Sequence, residues 1–205
     1  MVNKPAGLMV EPDRNGHANL LYEVKKYLKS KSNPDQAIYA QHIHRLDRPV
    51  SGIVLFAKQR KVLNNLSDQF ATRSVKKYYQ ALTATAPLVL GGTLDHWHRK
   101  EKKKAVLYDQ RVEFSEKASL TYSVAVNKAR LFLWAIELHT GKYHQIRAQL
   151  ASLGCPILGD TLYGSADLYR DNAIALHASQ LSFNHPISGE RHEINCAVPF
   201  DFSVF

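Results

Sequence analysis

At 205 residues, with 45% hydrophobic and 22% charged residues, the chain is long enough to bury one sizeable core and too apolar to be a disordered segment. Lysine and arginine number 27 against 18 aspartate and glutamate, and this formal charge of +9 favours a polyanionic partner without identifying one. No run of 18 apolar residues would cross a membrane, Cys155 and Cys196 share no CxxC spacing, and the start MVNKPAGLMV lacks a signal-peptide layout, so a reducing cytoplasm is the expected setting.

Residues 18–29 place Leu20, Leu21, Val24 and Leu28 on one face and predict an amphipathic helix, ended by the Ser-Asn-Pro-Asp cluster at 32–35. The continuous apolar run from Ile53 to Ala57 reads as a buried strand, and Val62, Leu63, Leu66 and Phe70 follow at helical spacing. From Val75 the period becomes two, with Val75, Lys77, Tyr79 and Ala81 on one strand face. Further strands are expected at 106–114, 120–126 and 131–138, the last two joined by the polar turn Asn127-Lys128-Ala129-Arg130. A helix is expected from near His144 to Gly154, with Ile146, Leu150 and Leu153 inward, and shorter strands at 156–158, 174–183 and 192–198. Strands outnumber helices and several are neighbours in sequence, which predicts an α+β fold with a mixed, mostly antiparallel sheet. No linker divides the chain, so residues 1–205 form one domain, and the charge run from Arg99 to Lys104 reads as a solvated hairpin tip.

Two segments concentrate reactive groups. In His42-Ile43-His44-Arg45-Leu46-Asp47-Arg48-Pro49-Val50-Ser51-Gly52 a carboxylate lies between two arginines, on a loop just before a buried strand. Guanidinium groups nearby would hold Asp47 ionised, ready to attack an electron-poor carbon or to take a proton. Local residue types alone favour a structural aspartate in a salt bridge. In Thr140-Gly141-Lys142-Tyr143-His144-Gln145-Ile146-Arg147 a turn leads into a helix start, and Arg147 suits either a bidentate ion pair with a carboxylate or an ordinary surface position. Tyr79, beside Lys77, could stack on a planar base or simply fill the sheet. Gly159-Asp160-Thr161-Leu162-Tyr163-Gly164 suits a tight connection. His42-x-His44 and His96-x-His98 lack a third ligand at a familiar spacing, so no metal site is expected.

Taken together, these segments resemble the RluA-type pseudouridine synthases. Asn3-Lys4-Pro5-Ala6-Gly7-Leu8 is similar to that family's NKPAGL opening, and His44-Arg45-Leu46-Asp47 with Ser51-Gly52 to its HRLDxxTSG signature. Arg73-x-Val75-x-Lys77-x-Tyr79-x-Ala81 resembles its K-x-Y strand, Thr140 to Arg147 its TGRxHQIR, and Gly159-Asp160 with Tyr163-Gly164 its GDxxYG. Five matches in the same order along nearly the whole chain are far more specific than any one of them.

The resemblance implies a pseudouridine synthase fold with a central catalytic cleft. It also implies isomerisation of uridine in ribosomal or transfer RNA without cofactor or metal; DNA is not an expected partner, and a monomer is the default expectation. Asp47 would be the catalytic aspartate, attacking ribose C1′ or the uracil ring, or abstracting a proton by way of a glycal. Tyr79 would stack on the base and help remove the C5 proton, and Arg147 would keep Asp47 charged. Arg45 would fill the space left by the flipped uridine, with His44, Lys77 and His144 alongside on the RNA. Extruding a nucleotide costs roughly a few kcal/mol, which an aromatic platform and cationic groups would offset.

Val50 stands where the family usually has Thr, and no S4-type domain is expected, RNA affinity then coming from the catalytic region itself. Relatives usually carry a strand before the NKPAG segment, so the sheet is expected to lack an edge strand unless the true start lies upstream. A silent RNA-binding module of the same fold would not need Asp47, Tyr79 and Arg147 together. A glycosidase would need a second carboxylate beside Asp47.

Overall fold

The computed structural model describes residues 1–126 and 131–200, so the predicted turn at 127–130 lies outside the described residues. β1 (Val2–Lys4) leads through a loop to α1 (Leu20–Ser30), which is capped by the Asn19 side chain accepting from the Tyr22 N–H at 2.9 Å. Glu23 in its first turn and Lys29 in its last suit the helix dipole, and Leu20, Leu21 and Val24 pack on the core. β2 (Gln41–His42), β3 (Ser51–Val54) and β4 (Phe56–Ala57) follow. The predicted 53–57 strand is thus broken at Leu55. Its N–H donates to His44 Nε2 at 3.2 Å and its carbonyl accepts from the Ile43 N–H at 2.9 Å, which turns the chain from one sheet into another.

α2 (Arg60–Ala71) lays Leu66, with Val62 and Phe70, over Ile53, Leu55, Val75, Leu181 and Phe183. Then come β5 (Lys76–Thr83), β6 (Gly91–Glu101), β7 (Lys104–Tyr108), β8 (Glu116–Val126) and β9 (Phe132–Leu138). The predicted 106–114 strand ends at Tyr108, and β6 has no counterpart in the sequence reading. β6 and β7 form a hairpin with Lys102 in the left-handed region at its tip. α3 (Gln145–Ser152), a 3-10 turn at Thr161–Tyr163, β10 (Leu176–Asn184) and β11 (Arg191–Asn195) complete the fold. Ile157, in the expected 156–158 strand, makes only an isolated bridge to Thr83.

Among the described residues one nine-stranded sheet runs β1-β3-β10-β5-β9-β8-β6-β7, with β11 beside β10, while β2 and β4 pair separately. Only β3 and β10 pair in parallel, through Ser51–His177 and Gly52–Ala178. β1 forms the edge next to β3, so the NKPAG segment itself supplies an edge strand. Trp134, Leu82, Leu120, Ile136, Leu150 and Ile157 are wholly buried, and Trp134 Nε1 donates to Thr83 Oγ1 at 2.8 Å. No helix among the described residues is long and apolar enough to cross a membrane.

Candidate active site

Asp47 sits on the loop between β2 and β3, which is tied down on both sides. Lys4, wholly buried, donates through Nζ to the carbonyls of Leu8 (2.7 Å), Pro5 (3.0 Å) and Arg48 (3.1 Å). Gly7 N–H donates to Arg48 O at 2.8 Å, Arg48 Nε donates to Gly7 O at 3.0 Å, and Pro49 O accepts from the Ile174 N–H at 3.1 Å. Burial pushes the Lys4 ammonium down to about 8, against the pull of Asp47 in the other direction. Beyond the loop, Gly52 (φ +119°) packs so tightly on β10 that an added Cβ would lie 2.4 Å from Ala178 O.

The second half of the site comes from β9 and α3. Gln145 organises the turn between them. Its Oε1 accepts from Thr140 Oγ1 at 2.8 Å and from the Lys142 N–H at 3.0 Å, and its Nε2 donates to Ser119 O at 3.1 Å. Two residues along the helix, Arg147 is 5% exposed and makes a bidentate pair with Asp160: Nε to Oδ2 at 2.7 Å and Nη2 to Oδ1 at 2.8 Å. Its remaining amine, Nη1, donates to Asp47 Oδ2 at 3.1 Å. Burial alone would lower the guanidinium, but the Asp160 bonds and then Asp47 outweigh it and hold the proton more tightly than usual.

Asp47, 27% exposed, opens into a cavity of about 110 Å³ lined by Tyr79, Leu138, Gly141, His144, Arg147 and Leu176, among others. The carboxylate therefore lines a pocket open to solvent and is not fully enclosed. Tyr79 is 9% exposed on the central strand β5, between β10 and β9. Burial first, then Asp47, pushes its phenol up, so it stays protonated at neutral pH. His144 Nε2 lies 3.5 Å from Asp47 Oδ2. Lys77 Nζ lies 3.6 Å from where a Gly141 side chain would begin, and burial, then Arg73, brings this ammonium down to about 8.

The two arginines beside Asp47 in sequence are not its partners. Arg45 is exposed, on the rim of the cavity, and pairs with Glu11, while Arg48 bonds the Gly7 carbonyl. The guanidinium at the carboxylate is that of Arg147, one hundred residues on. His44 supports the loop. It stacks on Phe70 at 5.0 Å, accepts the Leu55 N–H, and is pushed down to about 4, chiefly by burial. The two histidine pairs are equally engaged: His42 faces Glu11 at 3.3 Å, His96 accepts from Gln149 at 3.1 Å and His98 donates to Tyr143 O at 2.7 Å.

Sequence reasoning places Asp160 and Tyr163 in a motif and a tight connection but assigns neither a role at the site. A roomier cleft of about 810 Å³, bounded by α1 and Phe56, Pro186 and Ile187, is mostly apolar and gathers no reactive cluster.

A family model for RNA pseudouridylate synthase matches residues 1–152, so Asp160 and Tyr163 lie beyond the matched segment. An uncharacterised RNA pseudouridine synthase of Bacillus subtilis is 32% identical over 98% of this chain, which spans 66% of that relative's length. The tRNA pseudouridine synthase C of Yersinia pestis is 32% identical over 92% of this chain and 79% of its own. The solved structure of human RNA pseudouridylate synthase domain containing 4 superposes with a TM-score of 0.75 at 24% identity, covering 98% of this chain and 85% of that one, a likeness of fold. With a family match over most of its length and relatives at this identity, the chain belongs to the RNA pseudouridylate synthase family, isomerases that act on RNA.

Proposed function

We propose that this chain converts uridine to pseudouridine in ribosomal or transfer RNA, with Asp47 as the carboxylate that acts on an extruded nucleotide. The observation that carries the reading is the Asp47 carboxylate lining a small pocket together with Tyr79 and held by a buried arginine. The reaction breaks the C1′–N1 bond, leaving its electron pair on the base. The uracil turns, C5 bonds to C1′, the C5 proton passes to solvent, and N1 takes up a proton in its place. Atoms and electrons balance within the nucleotide, so nothing need be oxidised or reduced. A base retained beside its ribose recombines as an effectively unimolecular step, which a close-fitting cavity favours.

Tyr79 serves as the neutral aromatic platform under the base, and Arg147 keeps the carboxylate fixed. Arg45, exposed at the rim, is placed to follow the nucleotide into the vacated stack. The exposed lysines 100 and 102–104 of the β6–β7 hairpin supply cations for the RNA backbone beside the pocket. The test is incubation of the purified protein with in vitro transcripts of tRNA and large-subunit ribosomal RNA tritiated at uridine C5. Tritium release with pseudouridine in the digest supports the reading, and neither product from any transcript overturns it.

A further inference from the structure

The geometry points to Tyr163 as a positioning residue, whose hydroxyl fixes the His144 imidazole in the tautomer that carries its proton on Nε2, aimed at the space beside Asp47. The backbone N–H of Ala105, on β7, can only donate, and it reaches Tyr163 Oη at 2.7 Å. The single hydroxyl proton is then free for the other partner of Oη, His144 Nδ1, at 3.1 Å. With the hydroxyl donating, Nδ1 accepts and a neutral ring carries its proton on Nε2; the other tautomer would turn a bare Nε2 lone pair toward the Asp47 carboxylate 3.5 Å away. The ring has little freedom to choose otherwise. Tyr143 stacks on it at 3.8 Å and 17°, Tyr163 meets it edge-on at 5.8 Å, and the His144 backbone is held in the left-handed region at φ +51°. Burial, helped by Arg147 and Lys100 and opposed by Asp47 and Asp160, pushes this imidazole down, which keeps it neutral.

At 3.5 Å from Asp47 Oδ2, which already accepts from Arg147, the Nε2–H is too distant for a strong bond to the carboxylate. It is an N–H donor facing the reaction space. When the C1′–N1 bond breaks, the electron pair left on uracil spreads onto O2 and O4. A preorganised neutral donor stabilises an oxygen that gains charge at that moment. The relay begins on β7, so the basic hairpin and the donor beside Asp47 are joined by two hydrogen bonds.

This inference rests on the isomerase reading for its chemistry, and Tyr163→Phe tests it. The variant keeps the ring, which lies 5.1 Å from the Arg147 guanidinium, and removes only the hydroxyl. NMR of protein with isotopically labelled histidine nitrogens reads the tautomer, and turnover of the tritiated transcripts reads its use. The expected result is Nε2–H at His144 in the wild type and loss of that fixed tautomer in the variant. Alongside it kcat falls about tenfold with KM within about twofold. An Nδ1–H tautomer in the wild type, or a variant with wild-type kcat, overturns the proposal. The NMR arm decides the tautomer in the unaltered protein whether or not the variant folds. Absent wild-type turnover refutes the isomerase reading separately.

Discussion

Replacing Asp160 by Asn tests how Arg147 is held. Asp160 is 1% exposed and Arg147 5%, and the pair is joined by two bonds of 2.7 and 2.8 Å. An asparagine of the same shape keeps one acceptor but turns an N–H toward a guanidinium N–H, leaving a buried cation half paired. Breaking a buried pair on one side costs about 3–5 kcal/mol. At about 2–4 °C per kcal/mol for a domain of this size, the melting temperature falls by about 6–20 °C. Asp47→Asn, with one 3.1 Å bond at a partly open position, costs about 1 kcal/mol by comparison. Thermal denaturation followed by circular dichroism measures both. A D160N protein melting within about 2 °C of wild type would refute the claim that Asp160, rather than Asp47, anchors the guanidinium.

Two further outcomes follow from the geometry. Gly52→Ala drives a Cβ to 2.4 Å from a backbone oxygen of β10, so it yields insoluble protein or loses more than about 3 kcal/mol in urea titration, since the strand after the Asp47 loop cannot move aside alone. Lys77 has a folded-state value of about 8 against the usual 10.5, so between these two pH values the unfolded chain holds more protons and the native state gains stability as pH rises. The urea midpoint of wild type should therefore rise relative to that of Lys77→Met between pH 8 and 10, and parallel midpoints would contradict the assigned burial.

Much of this fold is legible because burial imposes periodicity. α1, α2 and β5 stand out because Leu20, Leu66 and Tyr79 each mark the covered face. β6 leaves no such trace. It is polar and largely exposed from Gly91 to Glu101, and its pairing with β8 and β7 comes from backbone bonds that any side chain permits. The run at 53–57 looks continuous because both of its halves are buried, and the break at Leu55 comes from bonds to the His44 ring, eleven residues earlier, and to the Ile43 N–H. At the site, residue types and order point to Asp47, Tyr79 and Arg147, and the family resemblance also implies the pairing of Arg147 with Asp47, which residue types alone do not give. Neighbours in sequence suggested Arg45 and Arg48 as partners of Asp47, whereas the helix start brings Arg147 there. Asp160 and buried Lys4 fall within the motifs but take no role from the sequence, because charged side chains are ordinarily solvated and only the tertiary fold surrounds these two with partners.

The most direct measurement is single-turnover pseudouridine formation by Asp47→Asn on a transcript that the wild type modifies. The account predicts a folded protein that still binds the RNA and forms no pseudouridine. Product at the wild-type rate would contradict it.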